Sequence, residues 1–180
     1  MRVQSAKLFR MAIADSFLPE FGQEMANTRK MLALVPDDKL DYAPHGKSMK
    51  MGRLSSHIAE MAGWAVNIVN TSELDVAPVG GPSYQPFIAG SRDELLAAFD
   101  KNVAAVKDAV AGASDEALMT SWSLLAGGKN FFTMPRIAVL KSMVLNHIIH
   151  HRAQLGVYLR MNDVPIPGMY GPSADDTPAM

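Results

Sequence analysis

The sequence predicts an all-α protein, a four-helix bundle whose helices are joined by long crossover loops. Apolar residues recur at helical spacing in four separate stretches of the 180-residue chain. Prolines, glycines and capping residues mark the ends of these stretches. The connections between them are long and polar, and sixteen extended residues reach about 50 Å, more than the length of any of these helices. Crossovers between distant helix ends are therefore possible.

The first two helices are predicted from their apolar stripes. Residues 17–35 carry large apolar side chains three, four or seven positions apart, and Pro36 ends this helix. A second helix is predicted from about residue 51 to residue 74. His57 lies on or beside its buried stripe.

The next two helices are marked by their ends. Ser91 followed by Glu94 forms a capping box at the start of the third helix, and Gly112 is a natural stop. The fourth helix begins near Pro135, whose fixed φ suits a first helical turn, and extends to about Asn162.

Short elements are expected outside the helices. The pair Gly127 and Gly128 separates two short apolar runs and predicts a hairpin. The tail, residues 164–180, is dense in proline and glycine and should wrap the surface or fray. We expect one domain, residues 17–180, preceded by an N-terminal extension, residues 1–16.

Composition excludes several functional classes. With 17 basic and 18 acidic residues the net charge is −1, so no overall positive field attracts nucleic acid. No segment reaches the ~18 uninterrupted apolar residues of a membrane span, so no membrane partner is expected. There is no cysteine, so any metal must be bound by nitrogen and oxygen, and a cytoplasmic location is expected.

Three of the five histidines fall in one short stretch of the fourth helix. His147 and His151 are four residues apart, so both imidazoles can face one metal ion. Apolar neighbours on that side predict burial, and buried imidazoles need partners. His57 on another helix would complete a three-histidine site with an open position for water or substrate. It could equally be a core histidine bonded to a carbonyl, and the residues alone leave both readings open.

Two further side chains are candidates for catalysis. Glu60 follows His57 by three residues and is a candidate fourth ligand, proton acceptor or orienting residue, or else a solvated helix glutamate. Gln154 follows His147 by seven residues and could hydrogen-bond a bound water or substrate. His150 points about 100° away from His151 and is expected behind the site or at an interface.

Two other polar residues are expected to have other roles. His45 should be an exposed loop residue. Arg152 should pair with an acid or with a helix neighbour.

Five motifs together resemble one known family. They are VPDDKLDYAPHGKSM, LSSHIAEMAGW, LLAGGKNFFTMPR, NHIIHHRAQLGVYLR and VPIPGMYGPSADD, and they follow one another from about residue 17 to residue 176. At these positions the chain resembles the DinB-like family of bacterial four-helix-bundle metalloproteins. The first ten residues fall outside this resemblance.

The resemblance implies a metal site and an enzymatic function. It makes His57, His147 and His151 the ligands of one divalent ion, nickel or zinc, and implies a homodimer. Members of the family include thiol-dependent S-transferases and a thiol-dependent isomerase. A metal-dependent thiol S-transferase or hydrolase is therefore expected, with a small-molecule substrate and a low-molecular-weight thiol as its partner. The alternative is a non-catalytic, stress-associated metal-binding dimer.

The chain departs from the family pattern at two positions. Ala153 stands where the family commonly has glycine, and Lys50 stands where it favours serine or threonine at the cap of the second helix. Capping is therefore expected from Ser48 or from solvent. Direct DNA binding is suggested only by the family's damage-inducible name, and no basic stripe or groove-reading motif supports it.

Overall fold

Four long helices form the body of the protein in a computed structural model that describes residues 11–82 and 84–176. The fourth long helix consists of three consecutive segments, and we call it the last helix. The helices are α1 (Ile13–Leu32), α2 (Met51–Asn70), α3 (Arg92–Ala111), the short α4 (Asp115–Met119), and the last helix, made of α5 (Arg136–Val139), a π-helical segment (Leu140–Leu145) and α6 (Asn146–Arg160). The all-α prediction is confirmed.

The first helix begins earlier than predicted. It starts at Ile13, so residues 13–16, which were placed in the N-terminal extension, are helical. Residues 1–10 lie outside the described part of the chain. The helix continues through Pro19 because Ala14 and Phe17 are buried in the core and the Ile13 amide donates to Asp115 of α4 at 2.8 Å.

The start of α2 is capped by main-chain carbonyls. The amide of Met51 donates to the Tyr42 carbonyl at 2.7 Å, and the amide of Gly52 donates to the Leu40 carbonyl at 2.8 Å. The expectation that Ser48 or solvent caps this helix is therefore wrong for these two amides. The loop approaches so closely that a Cβ on Gly52 would lie 3.2 Å from the Leu40 oxygen.

Ser91 caps α3 as predicted, but Glu94 bonds the amide of Gly90 and not that of Ser91. The hydroxyl of Ser91 accepts from the Glu94 amide at 3.2 Å, and the Glu94 carboxylate accepts from the Gly90 amide at 2.8 Å. The helix ends at Ala111 with Gly112 as its C-cap.

The packing order requires long crossovers, as predicted. Both α1 and α2 pack against α3 and the last helix, so α1 and α2 lie diagonally across the bundle. The connection 33–50 therefore crosses from one diagonal position to the other. The core between the helices is apolar and includes Phe17, Phe21, Leu54, Ile58 and Leu155.

A small sheet covers one end of the helices. It contains β1 (Glu73–Asp75), β2 (Ser121–Ala126) and β3 (Lys129–Pro135), in the order β1-β2-β3. β2 and β3 form the predicted antiparallel hairpin. Gly127 and Gly128 form its turn with φ values of 60° and 74°, which glycine adopts without strain.

The parallel strand β1 was not predicted. A continuation of α2 to about residue 74 was expected instead, but α2 ends at Asn70. Asp75 secures the strand to the hairpin, because its carboxylate accepts from the amides of Gly127 and Gly128 at 3.0 and 2.8 Å.

The described part of the tail, up to residue 176, wraps the surface, which was one of the two outcomes that we expected, the other being fraying. Asp175 pairs with Arg160 and accepts from the Ile166 amide, and the Tyr170 hydroxyl donates to Glu24 at 2.7 Å. Within the described residues, no helix is long and apolar enough to cross a membrane.

Candidate metal centre

The three predicted histidines meet where α2 packs against the last helix. His57 projects from α2, and His147 and His151 project from α6, one helical turn apart. One nitrogen from each ring lies within 4.8 Å of the other two. The structure therefore brings together the group that helical spacing and the family resemblance predicted.

Burial shapes the protonation of this cluster. Burial, followed by the positive charges of His151 and Arg53, lowers the pKa of His57 to about 4. Burial also lowers the pKa values of His147 and His151. The three rings are therefore neutral at neutral pH, and each has a free lone pair.

The hydrogen bonds around His151 fix its tautomer. Nδ1 of His151 lies 2.7 Å from Oε1 of Gln154, while Nε2 of Gln154 lies 3.1 Å from Nε2 of His150. Because Oε1 only accepts, Nδ1 of His151 carries the hydrogen and Nε2 carries the lone pair. That lone pair faces Nε2 of His147 at 2.8 Å. A hydrogen on His147 or a cation can satisfy it.

The donor set fits a divalent metal ion. Imidazole nitrogen suits several transition metals, and three neutral imidazoles leave an open position. Nε2 of His147 and Nε2 of His151 lie 2.8 Å apart, a contact that one ion bound by both nitrogens would account for. Two nitrogens bound to one ion at about 2.1 Å lie at most about 4.2 Å apart, so an ion would draw the rings slightly together.

Glu60 stands beside the histidines and is largely buried, with 12% of its side chain exposed. Its Oε1 accepts from the Phe87 amide at 2.9 Å, and its Oε2 lies 3.8 Å from Nδ1 of His57. The reading as a solvated helix glutamate is therefore wrong, because loop residues cover the carboxylate. A carboxylate near the outer edge of a ligand histidine is a common orienting arrangement.

Gln154 is placed behind His151. Both ends of its amide are engaged with histidines, one with His151 and one with His150. In this arrangement it orients a candidate ligand, whereas the sequence suggested a contact to water or substrate.

His45 is exposed, as expected. His150 is also exposed and lies behind the site, in contact with Gln154, and its place at an interface stays a prediction. The guanidinium of Arg152 pairs with Glu24 at 2.7 Å, which confirms that it pairs with an acid.

Two residues near the site were missed by sequence reasoning. Arg53 lies one turn before His57 on α2, and its positive charge lowers the pKa of both His57 and His151. Its spacing of four from His57 is a signal that could have identified it. Tyr84 comes from the loop before α3, where burial and Glu60 raise its pKa to about 12. No helical spacing points to a loop residue.

An apolar cavity of about 450 Å³ lies elsewhere, between the last helix and the tail. Ile149, Gly156 and Arg160 lie on its helical side. At about 100° per residue this stripe is roughly opposite His147 and His151. The cavity is therefore separate from the histidine cluster.

Known proteins share the sequence pattern of this chain. The DinB superfamily sequence profile matches residues 20–155, well over half of the chain. The chain belongs to the DinB superfamily. The uncharacterized protein YrdA of Bacillus subtilis is 27% identical to this DinB protein over 169 residues, which are 90% of each chain.

Two solved structures share the fold. A DinB-like protein from Bacillus cereus has a TM-score of 0.67 and 24% identity, over 88% of this DinB protein and 98% of that chain. The DinB-like protein YjoA from Bacillus subtilis has a TM-score of 0.64 and 17% identity, over 86% and 97% of the two chains. These structures support the DinB-like four-helix fold. DinB membership and the histidine cluster are together compatible with metal binding.

Proposed function

We propose that this DinB protein binds one divalent ion, nickel or zinc, through His57, His147 and His151. We further propose that it is a metal-dependent enzyme with thiol S-transferase or hydrolase chemistry on a small-molecule substrate. The observation that supports this best is the convergence of three neutral imidazoles within 4.8 Å at the junction of two helices. A buried set of lone pairs pointing at one another is costly unless a cation or a proton lies between them.

Each residue has a role in this proposal. A divalent ion held by three imidazoles supplies Lewis acidity and lowers the pKa of a water or thiol ligand. Gln154 holds the hydrogen on Nδ1 of His151 and so keeps Nε2 available. Glu60 offers a buried carboxylate oxygen, Oε2, that can orient His57 or accept a proton.

Metal content tests the first part of the proposal. Protein purified without a histidine tag should contain about one nickel or zinc ion per chain by elemental analysis. The variants His147→Ala and His57→Ala should lose most of it, because three ligands are reduced to two. His45→Ala removes an exposed loop histidine and should retain the wild-type content. Equal metal content in all four proteins would contradict the site.

Turnover tests the second part. Metal-loaded protein is assayed with panels of low-molecular-weight thiols and electrophiles, and with ester and amide substrates. Activity should be present in the wild type and in His45→Ala and absent in His147→Ala. Activity that survives equally in His147→Ala rules out the enzymatic proposal. Metal binding without turnover would favour the alternative of a stress-associated metal-binding protein.

The family resemblance also implies a homodimer in the cytoplasm. Both stay predictions for this chain. Sedimentation velocity of the metal-loaded protein tests the homodimer: a species of twice the 19.5 kDa chain mass is expected, and a species of one chain mass contradicts it.

A further inference from the structure

We infer that Arg53 is a specificity-determining residue that binds the carboxylate group of a small thiol at the histidine cluster. This inference rests on the proposed function and names the class of thiol that the site takes. It predicts a preference for thiols that carry a carboxylate a few bonds from the sulfur.

The position of Arg53 supports this role. It lies four residues before His57 and seven before Glu60, so the three side chains project from the same side of α2. Nη2 of Arg53 and Nδ1 of His57 lie 3.7 and 3.8 Å from the same carboxylate oxygen, Oε2 of Glu60. The guanidinium therefore lies beside the histidine cluster and not on a remote part of the helix.

The guanidinium has an unused donor. Nη2 lies 3.7 Å from Oε2 of Glu60, which is an ion-pair distance but too long for a hydrogen bond. Nη1 is buried and, among the described residues, has no hydrogen-bond partner. Only 26% of the Arg53 side chain is exposed, so solvent satisfies little of it. A buried charged donor without a partner is costly, and an anionic ligand would satisfy it.

The charge of the whole site favours an anion. Histidine binds metals through its neutral imidazole, so a bound divalent ion keeps its full double charge. Arg53 and Glu60 contribute one positive and one negative charge. The loaded site is therefore strongly positive, and it attracts small anions into a partly buried pocket.

The geometry of the guanidinium favours a carboxylate. Its planar donors match the two oxygens of a carboxylate, and such charge-assisted hydrogen bonds are stronger than neutral ones. A thiol with a carboxylate at its other end can place its sulfur at the open metal position and its carboxylate on Arg53. A neutral thiol of the same length gains only the first contact.

The experiment compares two thiols of nearly equal length on cobalt-loaded protein. Cobalt(II) replaces the native ion because its visible spectrum changes when a ligand enters the site. The dissociation constants of 3-mercaptopropionate and 2-mercaptoethanol are measured from this change. In the wild type we expect 3-mercaptopropionate to bind about tenfold more tightly. Equal affinities in cobalt-loaded wild type would overturn the inference and leave the metal site intact.

Variants assign the preference to Arg53. In Arg53→Met the ratio of the two affinities should fall to about twofold or less, because the carboxylate loses its partner while the loss of positive charge affects both thiols alike. Lys50→Met is the matched control, because it also removes a positive charge at the start of α2. Lys50 is exposed and pairs with Asp41. It should keep the wild-type preference. A preference that persists in Arg53→Met would overturn the inference.

Two further measurements separate the possible failures. Titration with phosphate tests whether Arg53 accepts any anion, and phosphate affinity that equals or exceeds that of 3-mercaptopropionate would overturn the assignment to carboxylates. Protein that takes up no cobalt would overturn the proposed function, and this inference with it. Arg53→Lys keeps the charge but loses the planar fork, and should retain an intermediate preference.

Discussion

Arg152 carries a full charge although only 4% of its side chain is exposed. Its guanidinium pairs with Glu24 of α1 and also donates to the Glu24 carbonyl, to the Thr28 hydroxyl and to the Tyr170 hydroxyl of the tail. One side chain of the last helix therefore joins α1 and the tail. A buried charge is stable only while its partners remain in place.

We predict that Arg152→Met lowers the free energy of unfolding by about 3–5 kcal/mol, because Glu24 is left buried without its partner. Urea unfolding measures the change. Arg29→Met is the matched control on α1, because the Arg29–Asp100 pair is about half exposed. It should cost about 1 kcal/mol or less. Equal losses in the two variants would contradict the importance of the buried network.

Gln154 permits a test that leaves the candidate ligands untouched. We predict that Gln154→Ala weakens metal affinity by about 10–100-fold, since His151 loses the acceptor that fixes its tautomer and orientation. Competition with a chelator measures the affinity. Asn162→Ala removes another side-chain amide, just beyond the end of α6, which among the described residues donates to the Tyr158 carbonyl, and should leave metal affinity unchanged. An unchanged affinity in Gln154→Ala would show that its contact to His151 is incidental.

The helix caps differ in where their partners come from. α3 is capped by side chains of its own sequence, Ser91 and Glu94, whereas α2 is capped by carbonyls of the preceding loop. The first kind is visible as a sequence motif. The second depends on how residues 33–50 fold back, so no residue type signals it.

We predict that Ser91→Ala lowers the free energy of unfolding by about 1 kcal/mol, because the Glu94 amide loses its acceptor. Chemical denaturation measures this loss. Ser142→Ala is the control, since its hydroxyl bonds only a carbonyl of the last helix, Ala138, which remains satisfied within the helix. That substitution should be close to neutral. A neutral Ser91→Ala would mean that the Glu94 carboxylate alone holds this helix end.

The π-helical segment is an element that the apolar pattern did not predict. Leu140–Leu145 adopts the wider turn directly before His147, within a stretch that the pattern predicts as regular helix. Wider turns of this kind are frequent at functional sites. Here the backbone of Met143 in the segment acts on His147 and raises its pKa against the larger lowering effect of burial. Apolar spacing alone does not distinguish this wider turn from a regular helix.

The histidine cluster joins two helices that are far apart in sequence. His57 belongs to α2, and His147 and His151 belong to α6. An ion bound by all three would therefore act as a cross-link in the bundle. Its binding free energy would then contribute to the stability of the whole molecule.

We predict that zinc or nickel at about 100-fold above its dissociation constant adds about 2.7 kcal/mol to the free energy of unfolding. Denaturant unfolding of metal-free and metal-loaded protein measures the gain. The gain should be much smaller in His57→Ala, where the ion no longer joins α2 to α6, and unchanged in His45→Ala. An equal gain in His57→Ala would mean that His57 does not share the ion.

The sequence by itself determined the helical class, the four long helices to within about four residues at each end, the hairpin and the serine cap of α3. These depend on local chemistry: apolar spacing, a glycine pair with positive φ, and a serine followed by a glutamate. The pairing of His147 with His151 is equally local, because one helical turn separates them. For His57 the residues alone left two readings open, and the family resemblance selected one.

Only the tertiary structure decided what depends on distant segments meeting. The strand β1 exists because β2 offers it a partner, and α1 begins at Ile13 because Asp115 of α4 accepts its amide. In the same way Arg53, Glu60 and the three histidines become one site only when α2 packs against α6. Local spacing fixes which way a side chain points along its own helix, but the neighbour that it meets is fixed by the packing of the whole bundle.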